Sequence, residues 1–186
     1  MYGMVNKAIR DLISTRHGEA VWELVRTKAE LEEEVFISTV SYPDAVTYRL
    51  VKEASEVLQI SPDNLLMEFG RWWILETARK GYGHLMEAGG RSLGEFLVNL
   101  PNFHTRIVMI FPELKPPEFE CTDVSANALR LHYRSERPGL APFVVGLLQG
   151  LGEMFQTELE VIQEAAVEAG AEHDVFKVSW SNATPP

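Results

Sequence analysis

The hydrophobic period of this chain changes at the double proline Pro116-Pro117, and that change limits the fold more than any other feature. Before it, apolar residues recur at the three-to-four-residue spacing of helices. After it, Phe119, Cys121, Leu129, Leu131 and Tyr133 alternate with polar neighbours, which is the period of strands. The expected class is therefore α+β: a helical N-terminal part, then a C-terminal antiparallel sheet with one helix packed on it.

In the helical part, Met4, Val5, Ala8, Ile9, Leu12 and Ile13 share a face, and Gly18 suits the stop that follows. Residues 19–28 read as a short amphipathic helix, residues 30–43 as acidic and irregular, and Tyr48, Leu50, Val51, Ala54 and Leu58 as a third apolar face. Ser61-Pro62 joins a capping oxygen to a proline at the first helical position. The segment after it carries Leu65, Leu66, Phe69, Trp72, Trp73 and Leu75, a face wide enough to be buried on more than one side. Gly81, Gly83, Gly89 and Gly90 are expected to break up the next stretch. Ser92 and Glu95 then form a capping box. They open a run through Phe96, Leu97, Leu100, His104 and Ile107, with a kink or break expected at Pro101. Beyond the prolines, residues 140–155 return to helical spacing despite Gly146, Gly150 and Gly152, each costing about 1 kcal/mol relative to alanine. Such glycines point to close packing against something flat or bulky. Residues 159–162 and 175–180 read as further strands.

Composition narrows the partners. The 186 residues suit one domain. With 46% hydrophobic and 24% charged residues the chain is not a disordered tail. Seventeen basic against 27 acidic residues leave a net charge of −10, which repels phosphate backbones and anionic membrane surfaces. No nucleic acid or membrane partner is expected. No apolar stretch approaches the roughly 20 residues of a membrane span, and residues 1–11 lack the pattern of a signal peptide. The single cysteine cannot form an internal disulfide. A cytoplasmic setting is expected.

Two constellations could carry chemistry. His104 sits inside an apolar stripe, where it is either a satisfied core histidine or a single axial ligand to a cofactor metal. Zinc takes three or four protein ligands, and no second His or Cys lies at suitable spacing. Haem iron needs only one, so haem is the simplest group if His104 is a ligand. Tyr133, Ser135 and Arg137 are two apart, so an extended segment puts all three on one face. Two hydroxyls and a guanidinium in a row suit carboxylates or a phosphate; an exposed strand edge is the plainer reading. Core packing accounts for most of Trp72 and Trp73, although one indole N–H could serve a pocket. His17 and His84 lie near helix ends, His132 on the strand face opposite Tyr133, and His173 in a polar turn. There is no Walker loop, GxGxxG or HExxH, and no catalytic residue is expected.

His104, Pro116-Pro117 and the run Leu131-His132-Tyr133-Arg134-Ser135-Glu136-Arg137, in that order, resemble an H-NOX domain, the haem nitric oxide/oxygen binding family. The resemblance covers nearly the whole chain, from Met1-Tyr2-Gly3 through Phe69-Gly70 and Glu95-Phe96-Leu97 to Gly139-Leu140 and the glycine-bearing helix. It implies one haem-binding domain over residues 1–186, with a helical subdomain of about 1–60, a haem-contacting part of about 61–180 and a frayed tail at 181–186. Haem b would lie between the two parts. His104 would be its proximal ligand, Tyr133, Ser135 and Arg137 would hold its propionates, and Pro117 would press on the ring. Val5, Ile9, Trp73, Phe143 and Leu147 would line the distal side. Members that hold oxygen resemble one another in a distal tyrosine on the glycine-bearing helix; here that position falls on Pro142 or Phe143, which cannot donate. The resemblance thus implies a sensor of NO, binding CO but little stable O2. NO would weaken the bond to His104 and free its helix, and the output would come from a partner such as a histidine kinase or a cyclic-nucleotide enzyme. Cys121 has a counterpart in cyclase-type members but reads as a small apolar strand residue. The rival readings are an oxygen-binding or redox haem sensor, a haem enzyme, a module for another hydrophobic ligand, and a cofactor-free interaction domain.

Overall fold

The computed structural model describes residues 1–31 and 35–182. The expectation for residues 30–43 falls partly outside the described residues, and that of a frayed tail does so from residue 183 onward. The chain divides into two compact units, Met1–Phe69 and Gly70–Pro186.

The first unit is helical: α1 (Gly3–His17), α2 (Glu19–Lys28), α3 (Asp44–Leu58) and the first turns of α4 (Pro62–Trp72). Gly18 separates α1 from α2 with φ +91°, in the region that favours glycine, while its N–H donates to Ser14. Ile9, Leu12 and Ile13 of α1, Trp22 and Val25 of α2, and Leu50 and Ala54 of α3 are buried. Asn6 is fully buried as well, and the Thr47 hydroxyl donates to its Oδ1 at 2.6 Å. Ser61 caps α4, accepting from the Asn64 N–H at 3.2 Å.

In the second unit a π-helical stretch, Trp73–Ala78, follows α4 and leads into α5 (Arg79–Glu87). The expected interruption falls between Gly81 and Gly83, where Tyr82 leaves helical geometry (φ −137°, ψ 22°) and kinks the segment, and α5 then stops at Glu87, ahead of Gly89 and Gly90. Next come α6 (Leu93–Val98) and α7 (Leu100–Ile110), parted at Asn99 with Pro101 in the first turn of α7. The break therefore precedes the proline, where a missing N–H costs nothing. Ser92 Oγ accepts from the Glu95 N–H at 3.3 Å, and the Glu95 carboxylate accepts from Arg91 N at 2.8 Å.

The sheet comprises β1 (Glu118–Thr122), β2 (Ala128–Arg134), β3 (Thr157–Ala165) and β4 (Asp174–Asn182), in the order β1-β2-β4-β3, antiparallel throughout. Leu129, Leu131 and Tyr133 of β2 share a buried face with Phe176 and Val178 of β4. Helix α8 (Ala141–Met154) packs near it. Its glycines mark close approaches. A Cβ on Gly150 would meet Ile74 at 2.9 Å, one on Gly152 would strike Leu159, and one on Gly70 would strike the α8 backbone at Phe143 O and lie 2.7 Å from Leu147 N. The bulky neighbours expected from the sequence are thus the segment from Gly70 to Ile74 and the Leu159 side chain of β3.

Candidate functional site

Helix α7 presents His104 on the side where Phe103 packs on Phe96 at 5.6 Å. The imidazole is stacked on Phe119 of β1, with centroids 5.4 Å apart and planes at 25°, and Phe119 lies 5.3 Å from the ring of Tyr133 on β2. Register accounts for the second contact, since Phe119 and Tyr133 are Cα partners. Burial pushes the His104 pKa down to about 4. The ring is therefore neutral at pH 7 and carries a lone pair. Its Nδ1 is buried without a protein partner, which is costly in a closed interior and ordinary in a site built for a ligand.

Tyr133 is buried, and burial is the main cause that raises its pKa, with a hydrogen bond from Ser135 and the charge of Arg137 acting the other way. The expected extended row is not formed. Strand β2 ends at Arg134, and the chain turns so that Ser135 Oγ accepts from the Arg137 backbone N–H at 3.0 Å. The correction has a physical reason: a hydroxyl two residues before an N–H closes a local turn that competes with the ladder. The Arg137 guanidinium then donates to the Lys115 carbonyl at 2.9 Å, which ties this turn to the segment leading into Pro116 and Pro117. Pro117 is half-buried, directly before β1. Tyr133, Ser135 and Arg137 are still brought together, as a turn and not as a row.

The other predicted residues fall in both units. Val5 and Ile9 are one turn apart on α1, Ile9 buried and Val5 half-buried. In the second unit Trp73 begins the π-helical stretch, and Phe143 and Leu147 lie one turn apart on α8; all three are half-buried. His17 and His84 are exposed. Phe119 is the residue that sequence reasoning passed over as a plain strand position. Its signal was the alternation that sets it on the face of Cys121. Cys121 itself donates to the Leu97 carbonyl at 3.5 Å, and burial raises its pKa to about 11.

Among the described residues no three His, Cys, Asp or Glu side chains gather as a metal cluster. His104 has the character of a single protein ligand, which a macrocycle would complete. A neutral imidazole with an orphaned nitrogen, two stacked aromatic rings, a proline, and hydroxyl and guanidinium donors nearby fit an iron porphyrin.

A family model described as Haem-NO-binding matches residues 2–163, and the chain belongs to this H-NOX family of haem-binding, gas-sensing domains. Among its relatives, soluble guanylate cyclase gcy-31 of Caenorhabditis elegans is 27% identical over 184 residues, 98% of this chain. The chain spans only 26% of that relative's length. A crystal structure of the Fe(II) unliganded H-NOX protein from K. algicida is 25% identical, covers 100% of both chains and superposes with a TM-score of 0.88. An H-NOX protein from S. oneidensis in the Fe(II)NO ligation state shares the fold at TM-score 0.88 with 19% identity, covering 98% of this chain and 100% of that one. Among the described residues no helix is long and apolar enough to cross a membrane.

Proposed function

We propose that this domain binds haem b through His104 and reports NO, with CO as a second ligand and little stable O2, to a separate signalling protein in the cytoplasm. The observation that carries the reading is the neutral His104 imidazole with its buried, unpartnered Nδ1. Haem, when bound, would supply a ferrous iron able to take a diatomic gas.

The chain's own part is to hold and transmit. His104 offers the lone pair, and Phe119 fixes the plane of its ring. Tyr133, Ser135 and Arg137 offer donors to the propionates, with Pro117 set against the ring by the segment that Arg137 anchors. Of the residues proposed for the gas side in the second unit, Phe143 and Leu147 offer only apolar surface and Trp73 carries an N–H; Val5 and Ile9 of the first unit, proposed by resemblance, are apolar too. The charge-assisted bond that bound O2 would want is absent from Phe143, a loss of roughly 1.5–3 kcal/mol, or about ten- to a hundredfold in affinity.

Transmission rests on α7. It carries His104 and ends at Ile110. A ligand that changes the pull on His104 biases the position of this helix, which is the two-state element a sensor requires. By likeness to the cyclases the receiver is a cyclic-nucleotide enzyme; a histidine kinase is the alternative implied by resemblance to the wider family.

The test is the absorption spectrum of the reduced protein under CO, NO and air, beside His104→Gly. The expected result is a Soret band that shifts with NO and CO and not with air, lost in the variant and restored by imidazole. A stable oxy spectrum overturns the gas assignment. A variant with unchanged spectra overturns His104 as the ligand.

A further inference from the structure

Two histidines that the haem reading leaves unused meet on the outer face of the sheet. Alternation along β2 turns His132 away from Leu131 and Tyr133, and His173 immediately precedes β4. His132 Nδ1 and His173 Nε2 are 2.8 Å apart, the rings 5.1 Å between centroids and inclined by 41°. The other nitrogen of His132, Nε2, is 2.8 Å from Thr122 Oγ1 on β1. Both contacts are partly buried, and the set joins three adjacent elements of the sheet.

We propose that His132 and His173 form a two-imidazole chelate for a late first-row divalent cation, Cu(II) above others, with water completing the coordination. At hydrogen-bond distance the two nitrogens are close enough for one cation to take the place of the shared proton, since a cis pair on one metal stands about 2.8–3.4 Å apart with metal–nitrogen bonds of about 2.0–2.1 Å. Two imidazoles suit late first-row ions. The affinity order of divalent ions also peaks at copper.

Thr122 supplies the outer support that such a ligand needs. With the proton on His132 Nε2, the ring donates to Thr122 Oγ1, and the lone pair on Nδ1 faces the shared position. In the metal-free pair His173 Nε2–H donates to that lone pair. On binding, this proton moves to the other nitrogen of the His173 ring, both rings stay neutral, and two nitrogen–metal bonds replace one hydrogen bond. The flanking cations on β2 are already engaged: Arg130 with Asp123 and with Glu164, and Arg134 with Glu120. The chain's net charge of −10 favours a cation.

The site stands independently of the haem reading. The full chain, oxidised, is titrated with Cu(II) alone and followed by electron paramagnetic resonance. The expected result is one equivalent bound with a tetragonal signal split by two imidazole nitrogens. His132→Ala and His173→Ala each abolish it, Thr122→Val weakens it about tenfold, and His17→Ala and His84→Ala leave it unchanged. Circular dichroism of each variant reports its folding, and Cu(II) raises the Tm of wild type and not of a folded double variant. Equal binding by wild type and the folded double variant overturns the proposal, as does a signal from one nitrogen only. Preference for Zn(II) over Cu(II) overturns the choice of copper.

Discussion

His104 and Phe119 stack at 5.4 Å although one belongs to a helix and the other to the strand after the double proline. The ring of Phe119 also lies 5.3 Å from that of Tyr133. The residue proposed as haem ligand and one proposed as propionate donor thus contact the same aromatic side chain.

Replacing Phe143 by tyrosine would add a hydroxyl to α8. On the proposed reading, O2 affinity rises about ten- to a hundredfold, the worth of one charge-assisted bond in a dry pocket. Oxygen dissociation rates measured on the reduced protein check this, and an unchanged rate would place Phe143 away from the gas.

Arg137→Ala removes a donor and also unfastens the turn from the Lys115 carbonyl. Haem transfer to an acceptor globin is expected to quicken about tenfold, the effect of losing roughly 1.4 kcal/mol. Arg137→Lys is expected to recover little of it, since an ammonium cannot reproduce the guanidinium's planar set of donors.

Gly70→Ala puts a methyl group against Phe143 O and Leu147 N, and backbone atoms cannot rotate away. Urea unfolding should show a loss of about 1–3 kcal/mol, the usual cost of overpacking. The same change should alter the gas-binding rates, because Phe143 and Leu147 are the two residues displaced.

The Cys121 thiol is buried against Leu97 with its pKa raised from 9.0 to about 11. Alkylation at pH 7.5 is therefore expected to be far slower than for a free thiol, with thiol-reagent kinetics as the measure. The folded protein resists losing this proton. The contribution to stability is thus complete below about pH 9 and is lost as pH rises toward 11. Cys121→Ser, whose hydroxyl does not titrate there, should flatten that part of the curve.

Local signals in the sequence were legible where local chemistry governs. Gly18, the Ser92–Glu95 cap and the change of period at Pro117 each act over a few residues, and each stands where expected. The kink at Tyr82 was legible in Gly81 and Gly83, but that helix resumes beyond it was not, because burial of Met86 is a tertiary contact. The turn at Ser135 was missed because strand alternation says nothing about where a strand ends. The meeting of His132 with His173, 41 residues apart, depends on β4 lying beside β2, and no spacing encodes that order. His104, Tyr133, Ser135 and Arg137 could each be named from the chain; Phe119, which connects two of them, could not.

The π-helical stretch at Trp73–Ala78 has a consequence for how this segment tolerates length changes. A π turn holds one residue more than an α turn, so it behaves as a stored insertion. Deleting a residue between Ile74 and Thr77 would let the stretch relax to ordinary α geometry without breaking the helix. Ala78 and Met86 would keep nearly the same bearing about the axis, because five α residues turn it by about as much as the six π residues do. An added residue finds no such slack: it would swing Ala78 and Met86 by about 100° and take them out of their packing.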